Sequence, residues 1–201
     1  MRILLATHNP HKADELGSIL GTLESITLLT LDDLPARPAE PVEDGATLEA
    51  NAYIKAAEIF AATGIPTIAD DTGLEVAALG GAPGVYSARY AGEGGTYADN
   101  CRKLIAELEH SGAADRSALF RTVICYTDGD RTLLAEGSVR GMILPEPRGA
   151  GGFGYDPLFQ PEGSSRTFAE MDAAEKNAVS HRGRALAALH EMLAPYFDEG
   201  Q

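Results

Sequence analysis

The sequence predicts an α/β fold, in which strands alternate with helices along the chain. Apolar runs at residues 3–6 and 26–31 have the length and composition of buried strands. Each precedes a helical pattern, the first beginning after Pro10 and the second spanning about residues 47–63 with Gly64 as its C-terminal cap. A chain of 201 residues suffices for one domain with a substantial core.

The stretch 65–75 is the centre of this pattern, because an apolar strand run ends there in Asp70 and Asp71. Acids delivered at the end of a strand are a common way to build a site in an α/β sheet. We expect the two side chains to point to opposite faces, a cation beside at least one, and a loosened backbone at Thr72 and Gly73. The alternative is a polar turn after a strand.

The second half of the chain adds a helix over residues 96–109 and a β-hairpin formed by 117–126 and 131–142. Asp172 and Glu175 form a capping-box pattern for a short helix, and Ser180 can cap a final one. Residues 149–154 match G-x-G-x-x-G, but no strand precedes and no helix follows, so we reject a dinucleotide site. The segment instead leaves Phe153 and Tyr155 to meet a flat ligand or, alternatively, to cap the core.

The composition excludes several classes of function. With 16 Lys and Arg against 30 Asp and Glu, the net charge is −14, which disfavours nucleic acid polymers and anionic membranes. Two isolated cysteines suit neither a disulfide framework nor a zinc site and indicate a reducing compartment. The N-terminal apolar run is too short for a secretory signal, so we expect a cytoplasmic protein.

The turn after the first strand is a candidate phosphate site. Asn9 is a good N-cap and Pro10 a good first helical residue, so free backbone N–H groups lie at a positive helix end. Lys12 opposes the helix dipole there, which indicates either a phosphate ligand or a solvated lysine. Glu43 could bind a metal or cap the next helix, and Lys55 in that helix could simply face solvent.

Two kinds of side chain stand out. The carboxylates suit magnesium, a hard cation that prefers oxygen ligands; they are Glu43, Asp70, Asp71 and Glu75. The cationic donors suit phosphate and carbonyl oxygens; they are Lys12, Lys55, Arg89, Lys176, His181 and Arg182. Together they predict a metal-bound polyphosphate, with a carboxylate that activates water.

Four segments in order resemble the inosine triphosphate pyrophosphatase family, the non-canonical purine nucleotide pyrophosphatases (Ham1-like). They are residues 7–12, 68–90, 151–159, and 175–177 with 180–183. The resemblance spans about residues 5–189 and implies one nucleoside triphosphate pyrophosphatase domain over residues 1–201. The implied fold is an elongated mixed β-sheet flanked by helices, with two lobes and the active-site cleft between them, usually as a homodimer.

The implied reaction is magnesium-dependent hydrolysis of ITP, dITP, XTP or dXTP to the monophosphate and pyrophosphate, which clears deaminated purines. The resemblance makes Asp71 the general base and, with Glu43, a metal ligand. It implies that the remaining residues bind substrate: Thr7, His8, Asn9, Lys12, Lys55 and Thr72 around the phosphates, and Phe153, Gly154, Tyr155, Asp156, Lys176, His181 and Arg182 around the nucleoside, with Phe153 stacked on the base.

The residue chemistry agrees with this expectation, because donors such as His181 and Arg182 suit a purine 6-carbonyl and would be left unpaired by a 6-amino group. Two alternatives stay open. Asp-Asp-Thr-Gly superficially resembles the first motif of haloacid-dehalogenase-like phosphatases, although that motif separates its aspartates by one residue. The chain could also bind the nucleotide without hydrolysing it.

Overall fold

The computed structural model describes residues 2–20 and 26–198 and shows a mixed α/β fold. Within those residues the strands are β1 (Arg2–Leu5), β2 (Thr27–Thr30), β3 (Thr67–Val76), β4 (Pro83–Gly84), β5 (Ser117–Thr127), β6 (Thr132–Ile143) and β7 (Phe159–Pro161). The helices are α1 (Pro10–Leu20), α2 (Leu48–Thr63), α3 (Tyr97–Ser111), α4 (Ala173–Val179) and α5 (His181–Asp198). The predicted α/β class is confirmed.

The strand order of the sheet is β2-β1-β3-β5-β6-β7, and β4 pairs with β3. The sheet is mixed: β1 runs parallel to β2 and β3, whereas β4 is antiparallel to β3 and β7 to β6. A short turn over residues 128–131 joins β5 to β6, as the hairpin pattern predicted.

The chain divides into two compact units. The first contains residues 1–71, 122–137 and 182–201, and the second contains 72–121 and 138–181. In the first unit, Ile3, Leu5 and Ile68 of the sheet pack with Leu186 and Leu189 of α5. In the second unit, aromatic side chains fill the core; they include Phe120, Tyr155, Phe159 and Phe168.

The predicted caps Gly64 and Asp172 are present, and Thr47 is a cap that was not predicted. The hydroxyl of Thr47 accepts the N–H of Ala50 at the start of α2, and Gly64 closes that helix with φ 66°. The N–H of Glu175 is donated to Asp172 at the start of α4. The prediction of a loosened backbone at Thr72 and Gly73 is wrong, because β3 continues through both residues and pairs with β4 at Leu74. None of the described helices is both long and apolar enough to cross a membrane.

Candidate active site

The turn between β1 and α1 has the capped geometry that its sequence predicts. Asn9 Oδ1 accepts the backbone N–H groups of His11 and Lys12 at 3.0 and 3.4 Å, and the Asn9 N–H is donated to Thr7 Oγ1. His8 is half-buried, with Nδ1 3.9 Å from a carboxylate oxygen of Glu40. Asn9 therefore fixes the start of α1 and orients the first turn that contains Lys12.

Asp70 lies at the centre of a buried charge cluster in the first unit. Its Oδ2 atom is 3.1 Å from Lys12 Nζ and accepts N–H groups of Arg182 at 3.1 and 3.3 Å. The Arg182 guanidinium also donates to Glu15 of α1. The expected cation beside the acidic pair is thus present, and the solvated alternative for Lys12 is wrong because that side chain is only 17% exposed.

Asp71 has a different set of partners. Its Oδ1 atom is 3.4 Å from Lys55 Nζ, and its Oδ2 atom accepts the amide N–H of Asn51 at 3.1 Å. Lys55 is buried and also lies 3.0 Å from Glu43 Oε2, so one ammonium binds two carboxylates. The solvent-facing alternative for Lys55 is wrong, as is the capping alternative for Glu43, since Thr47 caps α2.

The segment containing Glu43 is fastened to α2 by Asn51. The amide oxygen of Asn51 accepts the Gly45 N–H at 2.8 Å while its nitrogen donates to Asp71. A Cβ atom at position 45 would lie 2.6 Å from that amide oxygen, so glycine allows the close approach. Asn51 and Lys55 are four residues apart on one helical face, which brings both to Asp71.

The two neighbouring aspartates differ in acidity. Burial opposes ionisation of Asp70, but the charges of Lys12, Arg182 and Lys55 outweigh it and hold the pKa of Asp70 below its usual range. Burial raises the pKa of Asp71, and the negative charge of Glu43 adds to that effect against the influence of Lys55. Asp70 is therefore a permanent counter-ion, whereas Asp71 is the more basic carboxylate.

The donors around Asp71 fit a hard divalent cation. Asp71 and Glu43 converge on the ammonium of Lys55, a position that favours positive charge. Within residues 2–20 and 26–198, no group of three or more His, Cys, Asp or Glu side chains could hold a metal alone. Magnesium commonly takes one or two carboxylates and completes its coordination with water and substrate phosphates, so two acids are sufficient.

Two of the predicted nucleoside-binding residues of the second unit, Phe153 and Lys176, contact Asp156. Its Oδ2 atom accepts the Phe153 N–H at 2.8 Å and lies 2.6 Å from Lys176 Nζ. The Lys176 ammonium is also 4.8 Å from the centre of the Phe153 ring, within cation–π range. One buried carboxylate thus fixes both the backbone of the aromatic loop and the lysine over its ring.

Gly152 allows this arrangement, and a methyl group there is expected to disrupt it. A Cβ atom would lie 2.1 Å from Asp156 Oδ2, whereas at Gly154 it would meet nothing within 4 Å. Both glycines have positive φ, 66° and 64°, so the two substitutions share the same backbone strain. We expect Gly152→Ala to lower the free energy of unfolding by about 1–3 kcal/mol more than Gly154→Ala in urea titrations. Equal losses would contradict the proposed contact.

Two predicted base-binding residues are placed in the core of the second unit. Tyr155 is buried and donates its hydroxyl to the Ser87 carbonyl at 2.9 Å, which agrees with the core-capping alternative, and its contact with a ligand stays a prediction. The imidazole of His181 packs against Phe120, with ring centres 4.5 Å apart. The thiol of Cys101 donates a hydrogen bond to the carbonyl of Gly154. Burial raises the pKa of that thiol to about 11.

A model of the Ham1 family matches residues 3–192 of this sequence. The chain belongs to the Ham1 family. It is 52% identical over 188 residues to the dITP/XTP pyrophosphatase of Desulfotalea psychrophila, covering 93% of this chain and 82% of that protein. It is 51% identical over 195 residues to the dITP/XTP pyrophosphatase of Thermus thermophilus, covering 95% and 91%. A solved HAM1 protein from Coxiella burnetii superposes with a TM-score of 0.87 at 42% identity, covering 97% of this chain and 99% of that one.

The family match confirms the resemblance that the four segments predicted. The structure brings predicted residues together in two groups, one around Asp70 and Asp71 and one around Asp156. Thr72 follows Asp71 directly in β3 and is half-buried. The roles of these residues toward a ligand stay predictions.

Three residues that contact the predicted site residues were not identified by the sequence analysis. Asn51 binds Asp71, Glu15 binds Arg182, and the ring of Tyr97 lies 6.0 Å from that of Phe153. The spacing of Asn51 and Lys55 on α2 was a usable signal, because residues four apart share a helical face. Glu15 and Tyr97 have no such local signal.

Proposed function

We propose that the chain hydrolyses non-canonical purine nucleoside triphosphates, namely ITP, dITP, XTP and dXTP, to the monophosphate and pyrophosphate. The observation that best supports this is the contrast between the two aspartates at the end of the β3 apolar run. Asp70 is a buried counter-ion to two cations, whereas Asp71 lies beside a second acid, Glu43, with which it shares Lys55. The names of the relatives agree with the proposed reaction.

In the proposed mechanism, Asp71 and Glu43 would hold magnesium, which would neutralise charge on the phosphates. Asp71 also accepts the proton of the attacking water, the role of a positioned carboxylate base. Lys12 and Lys55 direct ammonium groups toward phosphate oxygens, assisted by the capped turn of Thr7, His8 and Asn9.

The base is proposed to bind the residues around Asp156. Phe153 offers a half-buried ring for stacking, and Lys176 lies over that ring. Hydrogen-bond donors select a purine with a 6-carbonyl, because a 6-amino group would leave buried donors unpaired, and such mismatches discriminate strongly. Arg182, in the first unit, is a separate proposed donor to the substrate, and its guanidinium is oriented by Asp70 and Glu15.

We further propose that the protein acts as a homodimer in the cytoplasm. The family resemblance supports the homodimer, and the two free cysteines agree with a reducing compartment. Light scattering after size-exclusion chromatography tests the assembly, and a monomer mass near 21.2 kDa would contradict it.

The proposed specificity is tested by steady-state hydrolysis of ITP, XTP, GTP and ATP with magnesium, with pyrophosphate quantified. We expect kcat/KM for ITP and XTP to exceed that for ATP by about 10²-fold or more, because polar mismatches at a donor-rich site are costly. Comparable values for ITP and ATP would contradict the proposed base recognition, and absence of turnover with all four would leave a non-catalytic binding protein.

A further inference from the structure

We propose that Asp70 is a positioning residue that orients the Lys12 ammonium and the Arg182 guanidinium through one shared carboxylate oxygen. The inference deepens the proposed function and rests on it for the ligand: Lys12 is a proposed phosphate donor there, and Arg182 is a second proposed donor to the substrate. Asp70 itself is not assigned contact with substrate or metal.

The geometry of the cluster supports a shared anchor. Lys12 Nζ and Arg182 Nη2 both lie 3.1 Å from Asp70 Oδ2, and Arg182 Nε lies 3.3 Å from the same atom. The side chains of Asp70 and Arg182 are only 1% and 2% exposed. Because water is excluded from Asp70 and Arg182, solvent is not an equivalent replacement for this oxygen at the guanidinium.

The two cations need an anchor for different reasons. A lysine ammonium sits on a flexible stem with three rotatable donors, so a fixed acceptor decides where its remaining donors point. The planar guanidinium of Arg182 is held on a second side by Glu15 of α1. Because the same Asp70 oxygen contacts both cations, displacing it alters both proposed substrate donors together.

The partners of Asp70 separate its role from that of Asp71. Asp70 directly contacts two cationic side chains, whereas Asp71 lies beside Asn51 and the lysine it shares with Glu43. An acid already committed to two fixed cations is suited to orienting them. The expected signature is therefore loss of ligand affinity, with a smaller effect on the chemical step.

The test uses inorganic pyrophosphate, a phosphate-only ligand, with magnesium and the full chain. Calorimetry gives its Kd for the wild type, Asp70→Asn, Lys12→Met and the double variant, and ITP kinetics give KM and kcat. We expect Asp70→Asn to raise both KM for ITP and Kd for pyrophosphate by roughly tenfold or more, since small misplacements of positioning groups are costly. In the Lys12→Met background, Asp70→Asn should change the pyrophosphate Kd by less than about twofold, because interacting residues are non-additive.

Glu15→Gln is the matched control, because it removes the other carboxylate on Arg182 and retains the one on Lys12. We expect its pyrophosphate Kd to rise less than that of Asp70→Asn, because the substitution leaves the Asp70 oxygen beside Lys12 in place. If Asp70→Asn alone does not fold, the double variant still decides, because it removes one buried cation together with the anion. The proposal would be overturned if the double variant bound pyrophosphate much more weakly than the Lys12→Met variant does.

The proposal is also overturned if folded Asp70→Asn retains the wild-type KM and pyrophosphate Kd. Failure of the proposed function has a different signature, namely wild-type protein that releases no pyrophosphate from ITP. The calorimetric comparison needs no turnover, so the two failures are distinguishable.

Discussion

Replacing Asp71 with asparagine is expected to lower kcat for ITP hydrolysis by about 10²–10⁴-fold, the usual contribution of a positioned general base. The substitution keeps the shape of the side chain and removes the carboxylate that lies beside Asn51 and Lys55. Initial rates of pyrophosphate release at saturating magnesium measure the effect. An unchanged kcat would remove Asp71 from the mechanism.

The same variant should fold. The pKa of Asp71 is raised in the folded protein, so ionisation of this carboxyl destabilises the fold. The loss of stability begins as pH rises above the unfolded-state pKa and is complete above the folded-state pKa. Asparagine does not ionise, so it removes this loss of stability at neutral pH, although Lys55 loses one carboxylate partner. Asp130→Asn, an exposed acid in the β5–β6 turn, is the control and should retain wild-type kcat. Circular dichroism melting then separates lost chemistry from lost structure.

Removing the carboxylate of Asp156 is expected to have the largest effect on stability. Asp156→Ala deletes the oxygen 2.6 Å from Lys176 Nζ, in a pair whose side chains are only 3% and 6% exposed. Breaking a buried ion pair from one side typically costs about 3–5 kcal/mol. The Phe153 N–H loses the same acceptor, so KM for ITP should rise as well.

Urea titration and ITP kinetics measure these two effects. Glu175→Gln is the matched control, because Glu175 lies on the same helix as Lys176 but forms an exposed ion pair with Arg166. Its effect on the free energy of unfolding should be much smaller, since solvent screens exposed pairs. Equal stability of Asp156→Ala and the wild type would contradict the organising role of this carboxylate.

Local sequence chemistry predicted the parts of the site that depend on neighbouring residues. Asn9 before Pro10 and Asp172 before α4 each supply a predicted cap whose partners lie within four residues. The apolar run before Asp70 likewise placed the acids on a strand. In each case the physical cause lies within the segment itself.

Long-range pairing was the part that sequence could not supply. Asp70 and Arg182 are separated by 112 positions, and no periodicity links them. Tyr155 and Ser87 are 68 positions apart, so the choice between ligand contact and core packing was open until the fold was known. The sequence predicted a loosened backbone at Thr72 and Gly73, whereas β3 continues through both residues and pairs with β4 just beyond them.

The most direct test of the central claim is the identity of the products formed from ITP with magnesium, followed by phosphorus NMR. The account predicts inosine monophosphate and pyrophosphate in equal amounts, with no turnover when EDTA removes the metal. Release of orthophosphate with inosine diphosphate would contradict hydrolysis between the α- and β-phosphates and would favour a phosphatase.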